Sequence, residues 1–149
     1  MSKNKRWYFL KLPEDFLESD PIEWLLAQNE GGNYFSLYIL LCKIALNTGG
    51  RLVRILNSEE IPYTPEDLSQ KVRMSISTTK VGVDILLKAG LLSFVDKNVL
   101  YITHFEILVG SETDSARRMR KQRRNNASRE GMRKLRAERK KMLPPGKMK

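Results

Sequence analysis

The sequence predicts an α+β fold, mostly helical: a winged helix-turn-helix domain followed by a basic C-terminal tail. Three observations carry this. The stretch from Thr64 to Ile102 reads as helix, short turn, helix and β-hairpin, in that order. Capping residues and glycines stand where those elements should start and stop. The positive charge is concentrated at one end. Of the net +10, residues 1–110 hold 12 Lys and Arg against 13 Asp and Glu, and residues 111–149 hold 15 against 4. The chain therefore reads as two segments, a near-neutral domain over 1–110 and a basic tail over 111–149.

Taken in order, Trp7-Tyr8-Phe9-Leu10-Lys11-Leu12 is aromatic and aliphatic and is closed by Pro13, which predicts a short strand or extended arm packed on the body. Asp20 before Pro21 predicts a helix cap, with Ile22, Leu25 and Leu26 at helical spacing, and Gly31-Gly32 predicts a break. Asn33 is then the expected cap of a helix carrying Phe35, Leu37, Tyr38, Leu40, Leu41 and Ile44. That helix is apolar nearly all round, which predicts a central, buried element ending at Gly49-Gly50. Cys42 lies inside it and reads as a small buried apolar residue.

Leu52 to Leu56 alternates weakly and predicts a short strand, with Asn57 to Glu60 as a loop. Thr64, Pro65 and Asp67 have the spacing of a capped helix start, and Leu68 and Val72 form its buried side. Arg73-Met74 turn the chain. Ser75 or Ser77 caps the next helix, and Gly90 closes it where a left-handed residue is wanted. Leu92 to Val95 and Val99 to Ile102 are strand-like, joined by Asp96-Lys97-Asn98.

On a wheel of 3.6 residues per turn, the second helix of this pair has two sides. Thr79, Gly82, Val83 and Leu86 share one, with Gly82 letting the first helix of the pair come close. Ser77, Lys80, Val81, Asp84 and Lys88 share the other, with Thr78 beside them. A recognition helix contacts base edges with its N-terminal residues. Hydroxyls exchange hydrogen bonds with bases, a valine methyl meets a thymine methyl, and lysines reach phosphates. Arg73, Ser77, Thr78, Lys80, Val81, Lys88 and Lys97 at the hairpin tip are thus the candidate DNA contacts here. Asp84 would repel phosphate, and this face lacks the Arg, Asn and Gln that most often read guanine and adenine. The same composition also suits a merely solvated helix face.

In the tail, Ser111-Glu112-Thr113-Asp114 has the form of a helix start. Arg117, Arg118, Arg120, Lys121, Arg123 and Arg124 follow as a cluster suited to phosphates. Asn125-Asn126 and Gly131 are expected to interrupt, Pro144-Pro145-Gly146 to end any helix, and like-charge repulsion to leave most of the free tail disordered.

Composition also excludes classes. Cys42 and His104 are each the only residue of their type, so zinc fingers and internal disulfides are ruled out by count. No phosphate-binding glycine loop is present, and adjacent acids such as Glu59-Glu60 read as solvated or capping groups. No enzyme activity, cofactor or metal is expected. No apolar run reaches the roughly 18 residues of a membrane span, and the N-terminal apolar stretch is too short for a signal peptide. The tail lacks the apolar face of a membrane-surface helix. A cytoplasmic protein is expected.

Several segments resemble the phage replisome organizer N-terminal domain family of Gram-positive phages and prophages. They are KRWYFLKLPEDFLES, the segment from Gly31 to Leu46, PYTPEDLSQKV, the LLKAGLL junction, and LVGSETDSARRMRKQRR at residues 108–124. The resemblance spans residues 5–124 and implies a winged-helix domain related to the N-terminal part of DnaD-type primosomal proteins. It also implies binding to double-stranded DNA at a phage origin and recruitment of a replicative helicase or its loader; a homo-oligomer is a separate expectation. Members often continue into a second domain, where this chain has its basic tail. The alternative reading is a winged-helix transcriptional regulator of phage or host genes, because the same fold serves promoters.

Overall fold

The computed structural model describes residues 4–142. They form two compact units: residues 8–110, and residues 4–7 together with 111–142. The architecture is α+β, dominated by helix, with three two-stranded sheets.

The core of the first unit is built around α2 (Gly31–Ile44), whose Leu37 and Leu41 are fully buried. Onto it pack α1 (Asp20–Ala27) through Ile22 and Leu25, α3 (Pro65–Val72) and α4 (Ile76–Lys88). Full burial of each such aliphatic side chain contributes about 1.5–3 kcal/mol. The central helix expected from its all-round apolar surface is therefore present, with Cys42 2% exposed inside it.

Two helix starts differ from the sequence expectation. Ser19, not Asp20, occupies the cap position of α1, its hydroxyl donating to the Phe16 carbonyl at 2.7 Å, and Asp20 and Pro21 form the first turn. Gly31 and Gly32 do not break the chain but begin α2, and Asn33 lies within the helix. The reason is packing. A Cβ on Gly31 would sit 2.5 Å from the Leu26 carbonyl oxygen and 2.6 Å from that of Leu25, so only glycine lets α2 start against the end of α1.

After a short 3-10 turn at Leu46–Thr48 come β2 (Val53–Leu56) and β3 (Glu59–Pro62). They pair antiparallel, Arg54 opposite Ile61 and Leu56 opposite Glu59. The loop expected over Asn57 to Glu60 is thus a two-residue turn and the start of a strand. Asn57 (φ 49°) and Ser58 (φ 67°) are both left-handed, the geometry that matches strand twist in tight hairpins.

The α3–α4 segment follows its local signals. Thr64 Oγ1 accepts from the Asp67 N–H at 3.2 Å while the Asp67 carboxylate accepts from the Thr64 N–H at 3.1 Å, a reciprocal cap. Arg73 ends α3 in a left-handed conformation (φ 57°). Ser75 caps α4, its Oγ accepting from the Thr78 N–H at 3.2 Å. Gly90 (φ 75°) turns the chain out of α4 into β4 (Leu92–Val95), which pairs antiparallel with β5 (Val99–Ile102). Backbone bonds of 2.8 Å from Leu52 to Leu100 and from Ile102 to Gly50 set β5 beside the entry to β2. Arg51 ties the two hairpins, at 2.7 Å from Glu60 and 3.0 Å from Asp96. The single turn α5 (Phe105–Leu108) then buries Phe105.

The remaining sheet pairs β1 (Arg6–Leu10) with β6 (Val109–Thr113). Residues Ser111 to Thr113, expected as a helix start, are the end of this strand. The helix begins one residue later, with Thr113 Oγ1 accepting from the Ala116 N–H at 3.3 Å.

In the second unit, α6 (Asp114–Met142) runs unbroken for 29 residues and buries none of them. It passes without interruption through Asn125, Asn126 and Gly131, where breaks are expected from the sequence. Arg, Lys, Ala and Met are strong helix formers, against which Gly131 costs about 1 kcal/mol. Lys134 also lies 3.7 Å from Glu130, one turn away. The stop expected at Pro144-Pro145-Gly146 lies outside the described residues. Among those described, no helix is long and apolar enough to cross a membrane.

Candidate nucleic-acid interface

The division of α4 into two sides is as its periodicity predicts. Thr79, Gly82, Val83 and Leu86 are buried, and Ser77, Lys80, Val81, Asp84 and Lys88 are exposed. The helix that Gly82 admits, however, is α2 and not α3. A Cβ at position 82 would strike the Leu37 side chain and come within 3.1 Å of Tyr34. Thr79 turns its hydroxyl inward to donate to the Ser75 carbonyl at 2.9 Å. Thr78 is half-buried, and its hydroxyl accepts from Ser75 Oγ at 2.8 Å. Of the hydroxyl pair on this side, Ser77 is the more open.

Lys80 is not an isolated cation. Its Nζ lies 3.0 Å from the Glu66 carboxylate on α3, with both side chains about half exposed. The Glu66 carboxyl is held below its ordinary range, first by its own backbone N–H in the opening turn of α3 and then by Lys80. An exposed pair of this kind exchanges readily with solvent and is screened by it. Arg73 is exposed on the turn before α4, Lys88 in its last turn, and Lys97 in the β4–β5 turn. Beside Lys97, Asp96 is occupied by Arg51. Arg54 and Lys71 lie 5.5 and 5.2 Å from the Tyr63 ring, two further cations near α3 that sequence reasoning left out.

The second unit holds the other candidates. Arg117, Arg120, Lys121 and Arg124 share one side of α6 and line a shallow groove. Arg118 and Lys121 border the adjacent side with Arg129, and Arg123 is exposed. Arg120 is paired at 3.0 Å with Glu112. Here too the structure adds residues that sequence reasoning missed. Trp7 donates its Nε1–H to the Asp114 carboxylate at 2.5 Å. Lys5 lies 4.4 Å and Arg117 5.1 Å from its ring. Asp114 and Arg117 stand more than a hundred positions from Trp7, so no local spacing signals them.

Chemically, the two surfaces offer hydroxyls, a valine methyl and lysines on one helix, and a dense row of guanidinium and ammonium groups on another. The first suits groove contacts and the second suits phosphates. A family model described as the N-terminal phage replisome organiser matches residues 9–130, which takes in α1 through the first half of α6. No curated protein and no solved structure gives a match.

Proposed function

Since the chain belongs to the N-terminal phage replisome organiser family, we propose that it binds double-stranded DNA at a phage replication origin and helps bring replication machinery there. In this reading α3, α4 and the β4–β5 hairpin act as a winged helix. The exposed side of α4 enters the major groove, and Lys97 and Arg73 lie against the backbone. The α6 helix supplies affinity that does not depend on sequence. Membership of a replisome organiser family supports, as part of this reading, recruitment of a replicative helicase or its loader.

The observation that carries this reading is the charge of α6, 13 Lys and Arg against 3 Asp and Glu with no buried residue. A helix that gives nothing to the core and carries this much charge has an anionic partner as its physical purpose. Family membership favours replication over transcriptional regulation for that partner.

The test is retention of sheared phage DNA by the purified protein at about 150 mM salt, a concentration at which much nonspecific binding is lost. Sequencing should find one short cluster of repeats beside replication genes. Enrichment of a single promoter palindrome, or uniform recovery, would overturn the origin-binding role.

A further inference from the structure

We infer that Trp7, with Lys5 and the Arg117, Lys121 and Arg124 stripe of α6, is a binding site for single-stranded DNA. One unpaired base stacks on the indole, and the phosphates that follow it run along α6. This rests on the nucleic-acid reading of α6 but adds a ligand that duplex binding does not require.

Trp7 is 40% exposed, yet its one side-chain donor is bonded and the residues just before it are tied to the start of α6. Its Nε1–H is bonded to Asp114. The Asp114 N–H donates to the Lys5 carbonyl at 3.0 Å, and Arg6 donates to Ser111 Oγ at 3.1 Å. Asn4 exchanges two hydrogen bonds with Ser115, at 3.0 and 3.3 Å. The ring is therefore preorganised, and the entropy of ordering it is already spent before a ligand arrives.

An exposed, fixed indole is a stacking platform for any base, since every base has a π-face. Lys5 and Arg117 rest on this ring through cation–π contacts and are both exposed. Their long side chains can leave the ring for the phosphates flanking a stacked base. Lys121 and Arg124 continue on the same side of α6 as Arg117. At 1.5 Å rise per residue they lie about 6 and 10 Å further along the helix axis. A duplex meets only these cations, because its bases are stacked on one another. A single strand meets the cations and the ring.

Fluorescence provides the test. In the full chain carrying Trp24→Phe, Trp7 is the only tryptophan. Oligo-dT of about 10 nucleotides, a length within the usual range of single-strand sites, should quench its emission. An abasic strand of equal length, at equal saturation by anisotropy, should quench little. Trp7→Ala should weaken oligo-dT binding about 5- to 150-fold, the value of one stacked base. Trp7→Phe keeps a ring without the Asp114 bond and should bind oligo-dT more tightly than Trp7→Ala. It serves as the decisive variant if Trp7→Ala loses helicity. Equal quenching by the abasic strand, or equal losses for duplex and single strand, would overturn the site. Duplex binding retained without the single-strand signature removes this inference alone. The signature retained without origin enrichment removes the origin role alone.

Discussion

Lys80 on α4 meets Glu66 on α3 at 3.0 Å, which places a carboxylate beside the lysine nearest the reading end of the α4 face. Any phosphate that Lys80 contacts must compete with Glu66. Glu66→Gln should therefore raise duplex affinity, by roughly two- to fivefold on the usual worth of an exposed pair. It should also steepen the slope of log affinity against log salt by about 0.9, one added phosphate contact. Lys80→Glu should do the reverse while leaving the fold intact. Fluorescence anisotropy across a salt series reads both. Unchanged binding in both variants would remove this face of α4 from the interface.

The stripe on α6 is expected to dominate the salt dependence. Replacing Arg117, Lys121 and Arg124 together by Gln should lower the salt slope for duplex DNA by about 3, from three lost phosphate contacts. Helix content should be nearly unchanged, since none of the residues of α6 is buried and Gln is a good helix former. The same salt series measures it, with circular dichroism as the control. A slope that does not move would mean α6 lies off the DNA.

What the sequence made legible was local. Thr64, Pro65 and Asp67 announce α3, Ser75 and Gly90 bracket α4, and Asp96 to Asn98 join the hairpin, because each signal lies within a few residues of the bond it makes. The exposed set Ser77, Lys80, Val81, Asp84 and Lys88 was legible for the same reason, through helical period. What stayed hidden depends on packing between distant segments. Gly31 reads as a breaker until α1 is known to press on it. Glu66 and Lys80 are paired across a turn, Arg51 bridges Glu60 and Asp96, and Trp7 finds Asp114 from the other end of the chain. The continuity of α6 past Asn125, Asn126 and Gly131 is hidden as well, because charge repulsion and intrinsic helix propensity pull that stretch in opposite directions.

Gly82 tests how closely α4 rests on α2. On propensity alone Gly82→Ala would stabilise a helix by about 1 kcal/mol. The added Cβ would instead strike the side chain of Leu37, which is itself fully buried and has no room to yield. Overpacking of a filled core costs about 1–3 kcal/mol, so the net effect should be destabilising. The urea midpoint should fall with the denaturant slope unchanged. A rise in the midpoint would show that α2 and α4 pack more loosely than their contacts indicate.

Cys42 gives the fold a dependence on alkaline pH. Burial pushes its thiol from 9.0 up to about 12, and the neighbouring Tyr38 hydroxyl is raised as well, first by burial and then by Cys42. In the unfolded chain both groups ionise near their ordinary values. The unfolded state therefore releases protons that the folded state keeps. The stabilisation is complete below about pH 9 and is lost as pH rises toward about 12, by up to about 1.4 kcal/mol per pH unit from the thiol. Cys42→Ala removes the thiol at the cost of a small cavity, so it should start less stable and lose less between about pH 8 and pH 10.5. Urea midpoints for parent and variant at both pH values measure the difference. The thiol should also resist a disulfide reagent at about pH 8 and react fully in denaturant, because the neutral, enclosed form is not a nucleophile. Rapid labelling of the native protein would mean that the α2 core opens, and the alkaline loss would then have another source.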